Sequence, residues 1–184
     1  MNRIFLTLAL AGNLLVAAAL LLGLQIDDPA ARSPAVQALV SWHLLTGLAA
    51  LCFTILVHAL VLTYFMGTGR WLEETTRAYG LPADLQRQSW TLKYRVVPLL
   101  SVAILLLILV GATGAAADPA SHVGWGRIAG MAAADVHLAT ALGTWAINVA
   151  IQAAEYSALL RNGAIVQEVL QEVRRIRMEH GLPV

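Results

Sequence analysis

The 184-residue chain is 59% apolar and only 12% charged, with a mean hydropathy of +0.71, which excludes an ordinary water-soluble domain, where about a quarter of residues carry charge. A net charge of +1 gives no concentrated basic face for nucleic acid. The lone cysteine, Cys52, excludes an intrachain disulfide and a paired-cysteine zinc or redox motif; it reads as a small buried hydrophobe.

Ile4 to Leu24 is an almost unbroken apolar run, long enough as a helix to cross a hydrocarbon core of roughly 30 Å. A cleaved signal peptide is the rival reading, but its apolar stretch is usually about 7–15 residues. A polar link with Asp27, Asp28, Pro29 and Arg32 follows, and Ser33-Pro34 is a helix start. The second span, about residues 36–66, is longer than a bilayer requires. Arg70, Arg77, Arg87, Lys93 and Arg95 then mark a basic loop beside Trp71, Trp90 and Tyr94, with Gly80-Leu81-Pro82 as a stop and restart. Residues 96–117 form the third span, with Pro98 in its first turn, closed by Asp118-Pro119. The fourth is expected over residues 121–160 and projects into the cytoplasm, where Asn162-Gly163 can bend or break it. Ile165, Val166, Val169, Leu170, Val173 and Ile176 then make an apolar stripe on a cytoplasmic amphipathic tail, residues 161–184.

Arg3, the basic central loop and Arg161, Arg174, Arg175 and Arg177 fall on one side, against Arg32 and Arg127 on the other. The positive-inside rule then places both termini in the cytoplasm, and a bacterial-type inner membrane is the expected location. The expected fold is all-α: an up-down-up-down, four-span membrane bundle over residues 1–160 with the amphipathic tail behind it.

Four of the five histidines form two pairs, His43 with His58 and His122 with His137, each 15 positions apart. That spacing is roughly 22 Å along a helix with a rotation of about 60°, so both members face one groove. On parallel second and fourth helices, His43 can meet His122 and His58 can meet His137. Imidazole is a good axial ligand for haem iron, and Arg127 can pair with haem propionates. A single haem between His43 and His137 is the alternative pairing.

These four histidines resemble the haem-binding four-helix part of the cytochrome b family. The resemblance implies one or two haem b groups held by His43, His58, His122 and His137, and an electron-transfer or anchor subunit rather than a complete enzyme. It further implies lipid surroundings, exchange with quinone, and partner subunits or further copies of the chain. The haem-free alternative is a transport, proton-conducting or structural membrane subunit. In it, a proton path runs through His137, Thr144 and Glu155, while Asp135, rotated away from His137, bonds a neighbouring helix or chain.

Overall fold

The computed structural model describes residues 1–183 except 124, 126 and 129, with the side chain of Ile128 also left aside. Its architecture is an all-α bundle of four helices: α1 (Asn2–Gly23), α2 (Pro34–Tyr79), α3 (Ala83–Ala117) and α4 (Ala133–Glu179). A two-residue antiparallel ribbon, β1 (Arg127–Ile128) with β2 (Met131–Ala132), precedes α4.

The helix boundaries follow local chemistry. Ser33 caps α2, its hydroxyl accepting from the Val36 amide at 3.3 Å, with Pro34 as the first helical residue. Gly80 ends α2 in the left-handed conformation at φ 63°, a region where a Cβ is strained. After that stop, α3 starts at Ala83 and continues without a break into its apolar part. Pro98 therefore lies inside the helix rather than in its first turn. Its ring leaves the Tyr94 carbonyl without a helical partner, and both residues are exposed. The Asp118 carboxylate accepts from the Ala120 amide at 2.8 Å and shapes the turn after α3.

Consecutive helices run antiparallel. Gly23 and Gly12 of α1 lie against His43 and Thr54 of α2, Gly69 and Gly111 join α2 to α3 at Trp90 and Leu51, and Gly114 of α3 lies against His137 of α4. α2 and α4 are parallel, with His43 beside His137 and Thr68 bonded to Asn162. The main core, including Phe5, Val57, Val61, Phe65, Leu100 and Leu159, forms where all four helices meet. Between lipid-embedded helices such contacts stabilise through close van der Waals packing rather than through removal from water.

Beyond the start of α1 the bundle continues as a stalk of α2, α3 and α4. There Leu72, Ile165 and Val169 are buried with Trp71, Leu81, Leu85 and Val173 around them. Ile165, Val166, Val169 and Val173 of the expected amphipathic tail are thus packed against the chain's own α2–α3 hairpin. Asn162-Gly163 neither breaks nor ends α4, which is one 47-residue helix. Asn162 is held inside by tertiary hydrogen bonds that offset its weak helix propensity.

Among the described residues three helices, α1, α2 and α3, are long and apolar enough to cross a membrane. Their outer faces expose Leu10, Leu14, Leu48, Leu105 and Ile108 among other large apolar side chains, far more than water-facing surfaces carry in contiguous patches. The chain is a multi-pass membrane protein by this criterion. Cys52, expected inside, lies on the exposed outer face of α2.

Candidate functional site

Polar residues occupy one face of α4 at heptad spacing. Asn148, Glu155 and Asn162 recur every seven residues and, with Thr144 and Gln152, are buried. A seven-residue repeat keeps one stripe of a helix against its neighbours, so α4 carries a file of polar groups down the bundle axis.

His58 of α2 sits at the centre of this file. Its Nδ1 is 2.8 Å from Glu155 Oε1 and its Nε2 is 2.8 Å from Asn148 Oδ1, and both His58 and Glu155 are fully buried. The Asn148 oxygen can only accept, so Nε2 carries a hydrogen. The remaining proton lies between Nδ1 and Oε1, giving either imidazolium with carboxylate or neutral imidazole with carboxylic acid. Both forms are neutral as a pair, which moderates the cost of burial.

Around this centre the file is tied to other helices. Asn13 of α1 donates to Gln152 Oε1 at 2.7 Å and accepts from Trp145 Nε1 at 2.8 Å. One turn before His58, Thr54 faces Gly12 of α1. Three buried atoms here have no hydrogen-bond partner among the described residues: Thr54 Oγ1, Gln152 Nε2 and Glu155 Oε2. Toward the stalk, Ser89 of α3 donates to Asn162 Oδ1 at 2.6 Å, and Asn162 Nδ2 donates to Thr68 Oγ1 at 3.0 Å.

At the opposite end, His43 Nδ1 donates to the Ala19 carbonyl at 2.9 Å. Thr113 spends its proton on the Val110 carbonyl, so His137 Nδ1 donates to Thr113 Oγ1 at 3.2 Å. The His43 and His137 rings meet edge to face with centroids 6.1 Å apart. Each ring rests on a glycine: a Cβ at Gly23 would lie 2.8 Å from His43 Cε1, and one at Gly114 would lie 3.1 Å from His137 Cε1.

This geometry overturns the haem reading. Neither two-haem pairing is formed: His58 meets Glu155 and Asn148 instead of His137, and His122 lies on the exposed loop after α3. Both His58 nitrogens are engaged in hydrogen bonds, leaving no lone pair for iron. Arg127 lies in the ribbon and donates from Nε to the Gly130 carbonyl at 3.0 Å. His43 and His137 do come together, but among the described residues no group of three or more His, Cys, Asp or Glu can hold a metal ion. Haem b as cofactor, the cytochrome b resemblance and the electron-carrying function are corrected accordingly.

Sequence reasoning ran a proton path through His137, Thr144 and Glu155 but missed Gln152 and the pair Asn148 and Asn162, whose seven-residue repeat with Glu155 was the available signal. Asp135 is exposed in the first turn of α4, where a carboxylate complements the helix dipole, rather than bonding a neighbouring helix. In comparisons with known proteins the chain matches no family model, no curated protein and no solved structure.

Proposed function

We propose that this chain is a four-crossing membrane protein that conducts protons through its interior, with the His58–Glu155 pair as the exchanging site. The observation that carries the reading is a fully buried imidazole and carboxyl sharing one proton at 2.8 Å, with the second carboxyl oxygen unpartnered. Ionisable groups inside a membrane are expensive, and a proton relay is a function that uses them.

A proton taken up at the unpartnered Glu155 Oε2 converts the imidazolium–carboxylate pair to imidazolium with carboxylic acid, one positive charge more, and its release from Oε2 restores the neutral pair, so one proton leaves for each that enters. Asn148 orients the ring by accepting from Nε2–H. Thr144 continues the same α4 face one turn away, and His137 lies two turns beyond it.

The fourth crossing is α4 itself. It lies level with α2 from the His43–His137 contact to the Thr68–Asn162 bond, so it shares the slab that α2 crosses. Its lower hydropathy arises on the inward face, while Leu142, Ile147 and Val149 are exposed outward. The basic residues gather at the stalk end, which supports cytoplasmic termini, in what we take to be a bacterial-type inner membrane.

The interhelical bonds of Asn13, Gln152, Ser89 and Asn162 favour a second reading, a structural membrane subunit clasped by polar contacts. Reconstituted liposomes containing a pH-sensitive dye and driven by a potassium diffusion potential separate the two. Proton uptake above that of empty liposomes, lost in Glu155→Gln, is the expected result; uptake equal to empty liposomes overturns conduction and leaves the clasp.

A further inference from the structure

Where α3 passes from its basic segment into its apolar one, two open grooves between α3 and α4 share Leu92 and Arg161. The groove nearer the membrane, of about 250 Å³, is lined by Arg95 and Arg161 together with Val96, Leu99 and Ser157. The second, of about 420 Å³, continues toward the stalk past Thr91 and ends beside Glu168. Arg95 and Arg161 are both exposed. Among the described residues neither has a carboxylate within ion-pair distance, so no acidic side chain competes for them.

We propose that the Arg95–Arg161 groove is a seat for one anionic phospholipid of the adjoining leaflet. This rests on the membrane placement proposed above and not on proton conduction. Two guanidiniums flanking a groove match a phosphate, which arginine holds through paired N–H donors. Ser157 adds a hydroxyl to the same wall. Val96 and Leu99 lead from the arginines into the apolar part of α3, so an acyl chain has an apolar track directly beneath its phosphate. Exposed Trp90 and Tyr94 mark the same level, since such side chains concentrate at headgroup depth. Glu168 at the far end of the second groove repels an anion there and confines the phosphate to the arginine pair. A zwitterionic lipid brings its own cation and gains less from two unpaired arginines.

The test is native mass spectrometry of the full chain released from nanodiscs containing equal phosphatidylglycerol and phosphatidylcholine. The expected result is retention of phosphatidylglycerol over phosphatidylcholine by at least about fivefold, the worth of one well-placed basic side chain near a membrane surface. The preference should fall to that of the bulk mixture in R95Q/R161Q and persist in K93Q, with circular dichroism confirming that each variant keeps its helices. Equal retention by the unmodified chain, or an unchanged preference in R95Q/R161Q, overturns the proposal. So does loss of the retained lipid in excess inorganic phosphate, which would make free phosphate the ligand. A chain that does not enter nanodiscs overturns the membrane placement as well, whereas proton uptake is read separately in vesicles of phosphatidylcholine alone.

Discussion

His58 Nδ1 and Glu155 Oε1 lie 2.8 Å apart across α2 and α4, with neither side chain reaching the surface. Removing one partner strands the other, and a buried pair broken this way typically costs about 3–5 kcal/mol. His58→Ala is therefore expected to destabilise the detergent-solubilised protein by that order. The double variant His58→Leu/Glu155→Leu should recover much of the loss, because two apolar groups leave no uncompensated charge. Thermal unfolding followed by circular dichroism checks the ranking; equal destabilisation by the single and double variants would contradict the pairing.

The glycines under the two outer histidines give a second expectation. Gly114→Ala brings a methyl within 3.1 Å of the His137 ring, and overpacking of this kind typically costs about 1–3 kcal/mol. Gly143→Ala lies on α4 with nothing within 4 Å of its new methyl. It should be neutral or stabilising by about 0.4–1 kcal/mol through the unfolded chain. Unfolding midpoints measured side by side would show opposite displacements.

Asn162 joins three helices by accepting from Ser89 and donating to Thr68. Asn162→Leu leaves the buried Ser89 hydroxyl without its acceptor, a loss of about 1–3 kcal/mol. Hydrogen exchange should speed up at the junction of bundle and stalk before it does so near His43. Uniform acceleration along α4 would argue against a local role.

The stalk's outer end carries a pH-dependent element. Hydrogen bonding from Arg175, reinforced by its positive charge, holds the Glu172 carboxyl below its ordinary range, and Arg175 also pairs with Glu179. A depressed carboxylate contributes stability that is fully present above its unfolded value of about 4.3 and is lost as pH falls through the folded value. Acidification below about pH 4 should fray the last turns of α4, seen as faster exchange near Arg175. Glu172→Gln should remove most of that pH dependence, and an unaltered profile would show that Glu172 does not set it.

The helices themselves were legible because long apolar runs, Ser33-Pro34, Gly80 and Asp118-Pro119 act locally. What sequence could not supply was the longitudinal register of α4 against α2. The two-haem reading required a sequence offset of 79 between the helices, for both His43 with His122 and His58 with His137. The structure instead sets His43 beside His137 and Thr68 against Asn162, an offset of 94. His58 accordingly falls between Asn148 and Glu155, offsets of 90 and 97. The difference arises because α4 starts at Ala133 and not near Ser121. Small residues and glycines around Gly130 made the loop and ribbon before α4 read as helix. Equal spacing of histidines on two helices constrains their faces but not how far one helix is slid along the other.

The unbroken length of α4 has a mechanical consequence. Forty-seven residues at 1.5 Å each span roughly 70 Å, more than twice the thickness of a hydrocarbon core. No hinge separates the tip at Arg177, where the guanidinium grips the Tyr79 hydroxyl at 3.0 Å, from the turn that holds Glu155. A torque applied at the stalk tip is delivered along a stiff shaft, and a small roll of the stalk becomes a small roll of the carboxyl group at its centre.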